Sequence, residues 1–462
     1  MSQGGNQAGG DLLTRRQMAL AAAVFGLLFF GLWALGRLLL SANRLHGWQI
    51  DCPANFPLSM LELRLPGLRA PLWPLGVAAA MLLIFALLTW KLRRVTSGLL
   101  AILLVGFALV LGTNLIHGPD YGLRYPQQGP PNYRQYYHDA VQVTSVLEFL
   151  GEFERRQPGL GCHSRTHPPG AVLFFHALAK TVKYPAAISV AIAALSVGLL
   201  GGFFYGIIRR EFSRPTCRYA TLLLLLVPSV QIYCCASLDA VIAGCFLGVV
   251  FFFGHPNRRI AAIGAIICLF CASLLTFAAC FLAPVMIGVE IITRRTVRRS
   301  AAILLGTTVL YILLYVFTGL NYAGSFAVAS ALENPGGFLL LAEPANYLFT
   351  RLEDACEILV FFGPFLLVLF AGGVGTMWRG RPRRELLAWT LLGAGTLVAM
   401  FLSGAFRTGE TGRACLFIVP YLMFPVAAQI DRGRPRHYER QVLLWLVFGQ
   451  TLVMQTFGGY VW

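Results

Sequence analysis

The polar residues able to do chemistry concentrate in one segment of an otherwise apolar chain, residues 120 to 180. Asp139 and His138 stand beside two tyrosines where a helix is expected to begin. A carboxylate there is either a helix cap or a functional group. We predict a catalytic pair of Asp139 and His138, because the crowded aromatic and polar side chains are typical of a binding site. Asp120 and Arg134 of the same segment are predicted to bind substrate.

A His-Pro-Pro-Gly motif at 167 to 170 follows in the same segment. Prolines do not fit inside a helix but can begin one, so the motif predicts a rigid elbow and a helix over 170 to 179. An elbow does not need the flanking His163, Arg165 and His167. We therefore predict that Arg165 and His167 bind substrate. The spacing of the two histidines is not specific for a metal, and no metal site is predicted.

The elements that position these residues must be membrane helices. Hydrophobic residues make up 57% of the chain and charged residues 12%, against about a quarter charged in soluble proteins. Many runs reach the ~20 apolar residues that cross a bilayer, and they are apolar on every face, which excludes a barrel. We predict an all-α polytopic membrane helix bundle of about 13 spans. They lie near 17–41, 71–90, 97–116, 184–208, 219–235, 238–254, 260–275, 277–293, 300–318, 356–378, 386–404, 414–430 and 441–459. A further helix, interfacial, is expected over 136–153.

The distribution of charge predicts the orientation of this bundle. With the N-terminus in the cytoplasm and the C-terminus outside, the inner loops hold 23 of the 37 Lys and Arg residues, and the outer loops hold 13 of the 20 acids. This agrees with the positive-inside rule. The net charge of +17 comes from short clusters between apolar runs, so a nucleic-acid partner is disfavoured. The chain is expected in the cell membrane.

Two domains are predicted on this map. Residues 1–95 form a two-span module, and residues 96–462 form the main membrane domain with outer loops 117–183, 319–355 and 403–414. The long loops of the chain, 42–70, 117–183 and 319–355, are all on the predicted outer side, so any chemistry should occur there. Cys52 and Cys162 fall in predicted outer loops, and their spacing leaves open whether they form a disulfide.

Two more outer positions are candidates. Residues 219 to 254 would run ~54 Å as one helix, nearly twice the hydrocarbon core, so they must fold back. The turn places Asp239 at the outer surface, either as part of a hairpin or as a binding group. Arg407, Glu410 and Arg413 form either an exposed ion-pair loop or a binding loop. We predict that all four bind substrate.

These motifs together resemble the membrane glycosyltransferases of the GT-C superfamily. The resemblance is to the polyprenyl-phosphate-sugar-dependent mannosyltransferase and aminoarabinose transferase type. It rests on Asp139 followed by alanine, on His-Pro-Pro-Gly at 167 to 170, on Asp239 at a later outer turn, and on the segment 407 to 413 before a span. Two features depart from the family. The large outer loop follows the third span here instead of the first, and His138 takes the place of the first acid of the mannosyltransferase acid pair.

The resemblance implies a function and roles for the residues. It implies transfer of a sugar from a polyprenyl-phosphate carrier to an acceptor outside the cytoplasm. Asp139 would activate the acceptor or position a cation, and Arg407 and Arg413 would face the lipid phosphate. The partners would be the lipid-linked donor and membrane lipid; the acceptor and any need for a divalent cation stay open. A transporter or lipid flippase, or a non-catalytic envelope assembly protein, are the alternatives.

Overall fold

The computed structural model describes residues 14–46, 61–64, 71–92, 98–129, 136–379, 383–406 and 410–460. In these residues the regular structure is helical apart from two short strands, Leu61–Leu63 and Gly458–Tyr460, which pair antiparallel. The α-helices are Arg15–His46, Trp73–Leu92, Leu99–Asn114, Tyr125–Gln128, Tyr137–Ala140, Val146–Gly151, Phe153–Arg156, Pro169–Val182, Pro185–Ile208, Arg214–Leu226, Pro228–Tyr233, Leu238–Phe253, Arg258–Leu275, Leu282–Arg294, Arg298–Thr318, Tyr322–Glu333, Leu339–Ala342, Pro344–Phe362, Pro364–Arg379, Arg384–Leu402, Thr411–Ala414, Val419–Gly433 and His437–Phe457. Short helical turns of other types are Asp120–Arg124, Gln157–Gly159, Ser164–Thr166, Phe277–Phe281 and Leu416–Ile418.

Several helices are long and apolar enough to cross a membrane. Within the described ranges there are five by length and composition, or six if one bent pair is counted as a single span. The five are Pro185–Ile208, Arg258–Leu275, Phe277–Arg294, Arg298–Thr318 and Arg384–Leu402. The predicted all-α class is confirmed, whereas the number of about thirteen spans is not. Many of the other predicted spans contain helices that are too short or that are broken.

The predicted span over 356–378 is wrong as one straight helix. The chain forms Pro344–Phe362 and Pro364–Arg379, which meet at 94°. Gly363 lies between them at φ 95°, a conformation that favours glycine, and Pro364 has no N–H to continue the first helix. Both residues force the bend, which an average of hydropathy cannot detect.

The predicted span over 219–235 is also broken, at Val227 and Pro228. The break frees backbone carbonyls inside an apolar bundle, where each must find a donor. The Thr451 hydroxyl donates to the Leu226 carbonyl at 3.0 Å, and the Gln231 amide donates to the Leu225 carbonyl. Side chains therefore replace the missing backbone bonds.

The interfacial helix predicted over 136–153 is wrong as one element. The segment contains the separate helices Tyr137–Ala140 and Val146–Gly151. Ser145 has an extended backbone between them, and its hydroxyl accepts from the amide of Glu148 at 3.4 Å. This serine begins a new helix, so the periodic apolar pattern runs across two elements.

The second helix of the chain, Trp73–Leu92, packs directly against the last one, His437–Phe457. The ring of Phe85 lies 4.2 Å from that of Phe448 and 4.9 Å from that of Trp445. The paired strands join the same two regions. Whether residues 1–95 form a module of their own stays a prediction.

The bundle has two ends of different character. At one, which we name the basic end, lie the arginine-rich segments 209–218, 254–259, 294–299 and 431–440. The Thr216 hydroxyl, for example, donates to Asp431 Oδ1 at 3.0 Å. At the other, which we name the loop end, lie 136–170, 234–239 and 403–418. The helix His437–Phe457 runs between them, and near its last turn the Gln455 carbonyl lies 2.8 Å from His117 Nε2. The predicted outer loops thus meet at the loop end.

Candidate functional site

The His-Pro-Pro motif forms an elbow at the loop end. His167 has an extended backbone (φ −117°, ψ 160°), and Pro169 is the first residue of the helix Pro169–Val182. A Cβ on Gly170 would lie 2.4 Å from the Leu274 carbonyl oxygen, so only glycine allows the elbow to pack this closely. The elbow and the helix it begins are as predicted.

The ring of His167 has a defined hydrogen-bonding state. Its Nδ1 donates to the His163 carbonyl at 2.9 Å, which leaves Nε2 of the neutral ring as an acceptor. Burial lowers the pKa of His167, although the nearby Asp239 carboxylate opposes this. Burial, and then the charge of Arg413, lower the pKa of His163 well below its usual value. Both rings are therefore neutral at pH 7.

Tyr136 brings the elbow and the Asp139 turn together. Its buried ring lies 5.3 Å from the ring of His167 in an edge-to-face arrangement and 6.3 Å from that of His163. Burial raises the pKa of Tyr136 well above its usual value, so the phenol stays protonated. One helical turn further along the chain lies Asp139.

Asp139 is oriented by one backbone bond. Its Oδ2 accepts from the Gly161 amide at 3.0 Å, and the residue is 9% exposed. A Cβ at position 161 would come within 2.8 Å of that oxygen, so the glycine is needed for the contact. His138 instead lies beside Gln142, with its Nε2 2.9 Å from the amide nitrogen. The two residues of the predicted pair thus have different surroundings.

Asp239 lies in the first turn of Leu238–Phe253. The Ser237 hydroxyl donates to Asp239 Oδ2 at 2.8 Å and accepts from the Asp239 amide at 3.1 Å. The preceding Ala236 has φ 77°, a strained conformation for a residue with a side chain. The turn predicted from chain length is present, and it holds the carboxylate at the loop end.

Arg413 contacts both Asp239 and Glu410, and we name these three residues the cluster. The Arg413 Nε lies 3.4 Å from Asp239 Oδ2, its Nη2 contacts the Glu410 carboxylate, and its side chain is 8% exposed. Within the described part of the chain, its buried Nη1 has no hydrogen-bond partner. Burial alone would lower the pKa of Arg413, but Glu410 and Asp239 raise it, so the guanidinium is permanently charged. Glu410 has φ 61°, a second strained position, within the cluster itself.

A helix that the site prediction did not include holds this late loop in place. In Pro344–Phe362, Glu357 accepts from the Gly412 amide at 3.0 Å and from the Thr411 hydroxyl at 3.4 Å. Arg351 of the same helix donates to the Phe401 carbonyl at 2.6 Å. The available signal was four charged residues within seven positions, 351 to 357, of a chain that otherwise avoids charge.

No described contact joins Asp139, His138 or the predicted site residues outside the cluster to Arg413. Asp120 is exposed and lies 3.9 Å from Arg124. The Nε of Arg165 is buried and has no hydrogen-bond partner among the described residues. Arg134 and Arg407 lie outside the described residues.

Two remaining sequence predictions concern cysteines and metal. Cys162 is exposed and has a free thiol, while Cys52, with which the sequence left pairing open, lies outside the described residues. Over the described ranges, no three His, Cys, Asp or Glu side chains are grouped so that they could hold a metal ion.

Comparison with known proteins gives a likeness of structure. No family model matches the chain, and no curated protein matches it. Among solved structures, it is similar to ArnT from Cupriavidus metallidurans in the apo state, at 17% identity and a TM-score of 0.40. The likeness covers 62% of this chain and 55% of ArnT, so this chain spans little more than half the length of ArnT.

Proposed function

We propose that the protein is a membrane glycosyltransferase of GT-C type, which transfers a sugar from a polyprenyl-phosphate carrier to an acceptor outside the cytoplasm. The observation that carries the proposal is the buried Arg413, which has carboxylates on one side and a free Nη1 donor on the other. A guanidinium donor in a site of low dielectric is suited to a phosphate that gains charge as it leaves. The resemblance of the motifs to that superfamily supports the same class.

The transfer needs a base, a phosphate anchor and acceptors for the sugar hydroxyls. The acceptor hydroxyl attacks C1 of the donor sugar, and the bond from C1 to the phosphate oxygen breaks with its electron pair leaving on the phosphate. Arg413 stabilises that charge, and the hydroxyl proton passes to Asp139. The Gly161 amide orients the Asp139 carboxylate through Oδ2, which leaves Oδ1 for the acceptor.

The cluster and its surroundings provide the remaining contacts. Asp239 and Glu410 accept hydrogen bonds, as does the free Nε2 of His167, and these suit hydroxyls of a sugar. The same chain has long apolar helices, so a polyprenyl tail can stay in lipid while its headgroup reaches the loop end. In this proposal the loop end faces away from the cytoplasm.

Transfer by the purified protein tests the proposal. The protein is incubated in nanodiscs with radiolabelled polyprenyl-phosphate sugars and a lipid extract, and labelled products are counted. We expect a labelled product that Asp139→Asn abolishes, because the amide cannot take the proton. Glu148→Gln is the matched control: this acid belongs to an exposed ion pair with Arg156 and should not matter. Undiminished transfer by Asp139→Asn, or no product from any donor, would contradict the proposal.

A further inference from the structure

A polar cavity at the basic end has no part in the proposed transfer. Its volume is about 260 Å³, and its polar lining is Thr89, Tyr219, His437, Arg440 and Gln441. Three helices form its walls: Trp73–Leu92, Arg214–Leu226 and His437–Phe457. The cavity lies at the first turn of the last helix, whose other end is about 30 Å away at the loop end.

Arg440 gives the cavity its charge. Its guanidinium carbon lies 5.8 Å from the centre of the Tyr219 ring, and the Tyr219 hydroxyl donates to the Arg440 carbonyl at 2.8 Å. The Arg440 Nε is buried and has no hydrogen-bond partner in the part of the chain described, and no carboxylate of that part forms an ion pair with it. A buried donor without a partner costs free energy unless a ligand completes it.

The rest of the lining is suited to an anion. The side-chain amide of Gln441 and the ring of His437 offer further donors, and the cavity is lined by no acidic residue. The positive end of the helix dipole of His437–Phe457 lies at the same place. Together these features favour a phosphate group.

The surface beside the cavity is apolar. On the helix that carries Thr89, Leu82 lies on the same face two turns away and is 39% exposed, and Val442, next to Gln441, is exposed on the last helix. Exposed aliphatic side chains of this kind contact acyl chains in a bilayer. A ligand with a phosphate in the cavity and hydrocarbon along these apolar side chains is a phospholipid.

We propose that this cavity binds the phosphate of an anionic phospholipid at the basic end of the bundle. Arg440 holds the phosphate through its Nε–H and terminal N–H groups, and Gln441 and His437 donate to the remaining oxygens. The acyl chains lie against Leu82 and Val442. Basic pockets between membrane helices on the cytoplasmic side bind lipid headgroups in this way.

Lipid binding to the full-length, delipidated protein tests this site. Native mass spectrometry measures the apparent Kd for phosphatidylglycerol and for phosphatidylcholine, and thermal unfolding is followed with each lipid and with inorganic phosphate. We expect tighter binding of phosphatidylglycerol, which raises the unfolding temperature, and little effect of inorganic phosphate. Arg440→Gln should weaken phosphatidylglycerol binding about tenfold, a typical loss for one charge-assisted contact.

Two variants keep the test decisive. Arg298→Gln is the matched control, since this exposed arginine at the same end lies outside the cavity. Gln441→Glu puts a negative charge in the lining and should weaken binding even if Arg440→Gln fails to fold. Equal binding of the two lipids, equal losses in Arg440→Gln and Arg298→Gln, or an equal stabilisation by inorganic phosphate would overturn the proposal.

Discussion

At the scale of residues, Arg413 is held in a site that contains more negative than positive charge. Asp239 and Glu410 both contact it, and burial makes each uncompensated charge costly. Removing the guanidinium would leave two half-buried carboxylates without their counter-charge, at a cost of up to about 3–5 kcal/mol. Arg413 therefore supports the fold and the proposed chemistry at the same time, and a mutation must separate the two roles.

Arg413→Lys makes that separation. The lysine keeps the positive charge beside Asp239 but lacks the planar fork that reaches a phosphate while it contacts the acids. We expect the unfolding temperature to fall by a few degrees at most and the rate of sugar transfer to fall at least tenfold. Thermal unfolding and the radiolabel assay measure the two effects. Transfer at the normal rate would show that charge alone is enough, and that no bidentate contact is made.

The two elbow histidines predict how stability depends on pH. Because their pKa values are lowered in the folded protein, the unfolded chain binds more protons between the folded value and about 6.5. The free energy of unfolding should therefore rise with pH through that window, and the protein should be less stable at pH 5 than at pH 7.

His163→Gln should reduce this dependence. Each such histidine contributes at most ~1.4 kcal/mol per pH unit, so the change in slope is measurable in unfolding temperatures recorded from pH 5 to pH 8. His255→Gln, at the basic end, is the control. An unchanged slope in His163→Gln would mean that the ring does not resist protonation.

The sequence predicts part of this site because some constraints are local. Two prolines set the elbow whatever surrounds them, and the length of 219–254 requires a turn near Asp239. The contacts of Tyr136 with His167 and of Asp139 with Gly161 cross more than twenty residues of chain. No local pattern encodes such contacts, so the sequence placed Asp139 in a functional segment without showing what orients it.

At the scale of elements, the helix Pro344–Phe362 positions the late loop. Its Glu357 accepts two bonds from residues 411 and 412, immediately before Arg413. The helix ends at the Gly363 bend, so its charged face meets the loop end instead of continuing across the bundle. We infer that Glu357 is a positioning residue, which acts through Arg413.

Replacements of Glu357 test this role. Glu357→Ala removes both bonds, and we expect a loss of about 1–3 kcal/mol in the free energy of unfolding and at least a tenfold fall in kcat. Glu357→Gln keeps an oxygen acceptor for the Gly412 amide and should restore most of the activity. The ratio of kcat in the two variants, with KM measured in parallel, checks the prediction. Equal losses would indicate that the charge of Glu357, and not its geometry, is what matters.

Hydropathy located most helices of the chain but not their breaks. Apolar runs indicate where a helix can be buried, and the helices at 185–208 and 384–402 lie where they were expected. The breaks at Gly363 and Val227 depend on backbone conformation and on distant side chains such as Thr451. Interiors of membrane proteins tolerate irregular backbone only where other groups satisfy it, and those groups are known only from the folded structure.

At the scale of the whole molecule, charge divides the bundle into two ends. Arginines with exposed side chains gather at the basic end, while the loop end holds the buried acids and the elbow. The positive-inside rule predicts that the basic end faces the cytoplasm. Both proposed sites depend on this orientation, because it puts the transferase cluster outside and the lipid site at the inner leaflet.

Labelling of cysteines in intact cells decides the orientation. Cys162 is exposed at the loop end, so a membrane-impermeant maleimide should label it in the variant Cys52→Ser, and the product should disappear in the double variant Cys52→Ser/Cys162→Ser. In that background, Arg298→Cys places an exposed thiol at the basic end and should be labelled only after the cells are permeabilised. Cys271 and Cys280, although exposed, lie on apolar helical segments, where hydrocarbon should exclude the reagent. In the protein with both cysteines, labelling of Cys162 only after reduction would indicate a disulfide with Cys52, which the sequence leaves open. Labelling of Arg298→Cys in intact cells would show that the basic end faces outward, and would place the proposed transfer on the cytoplasmic side.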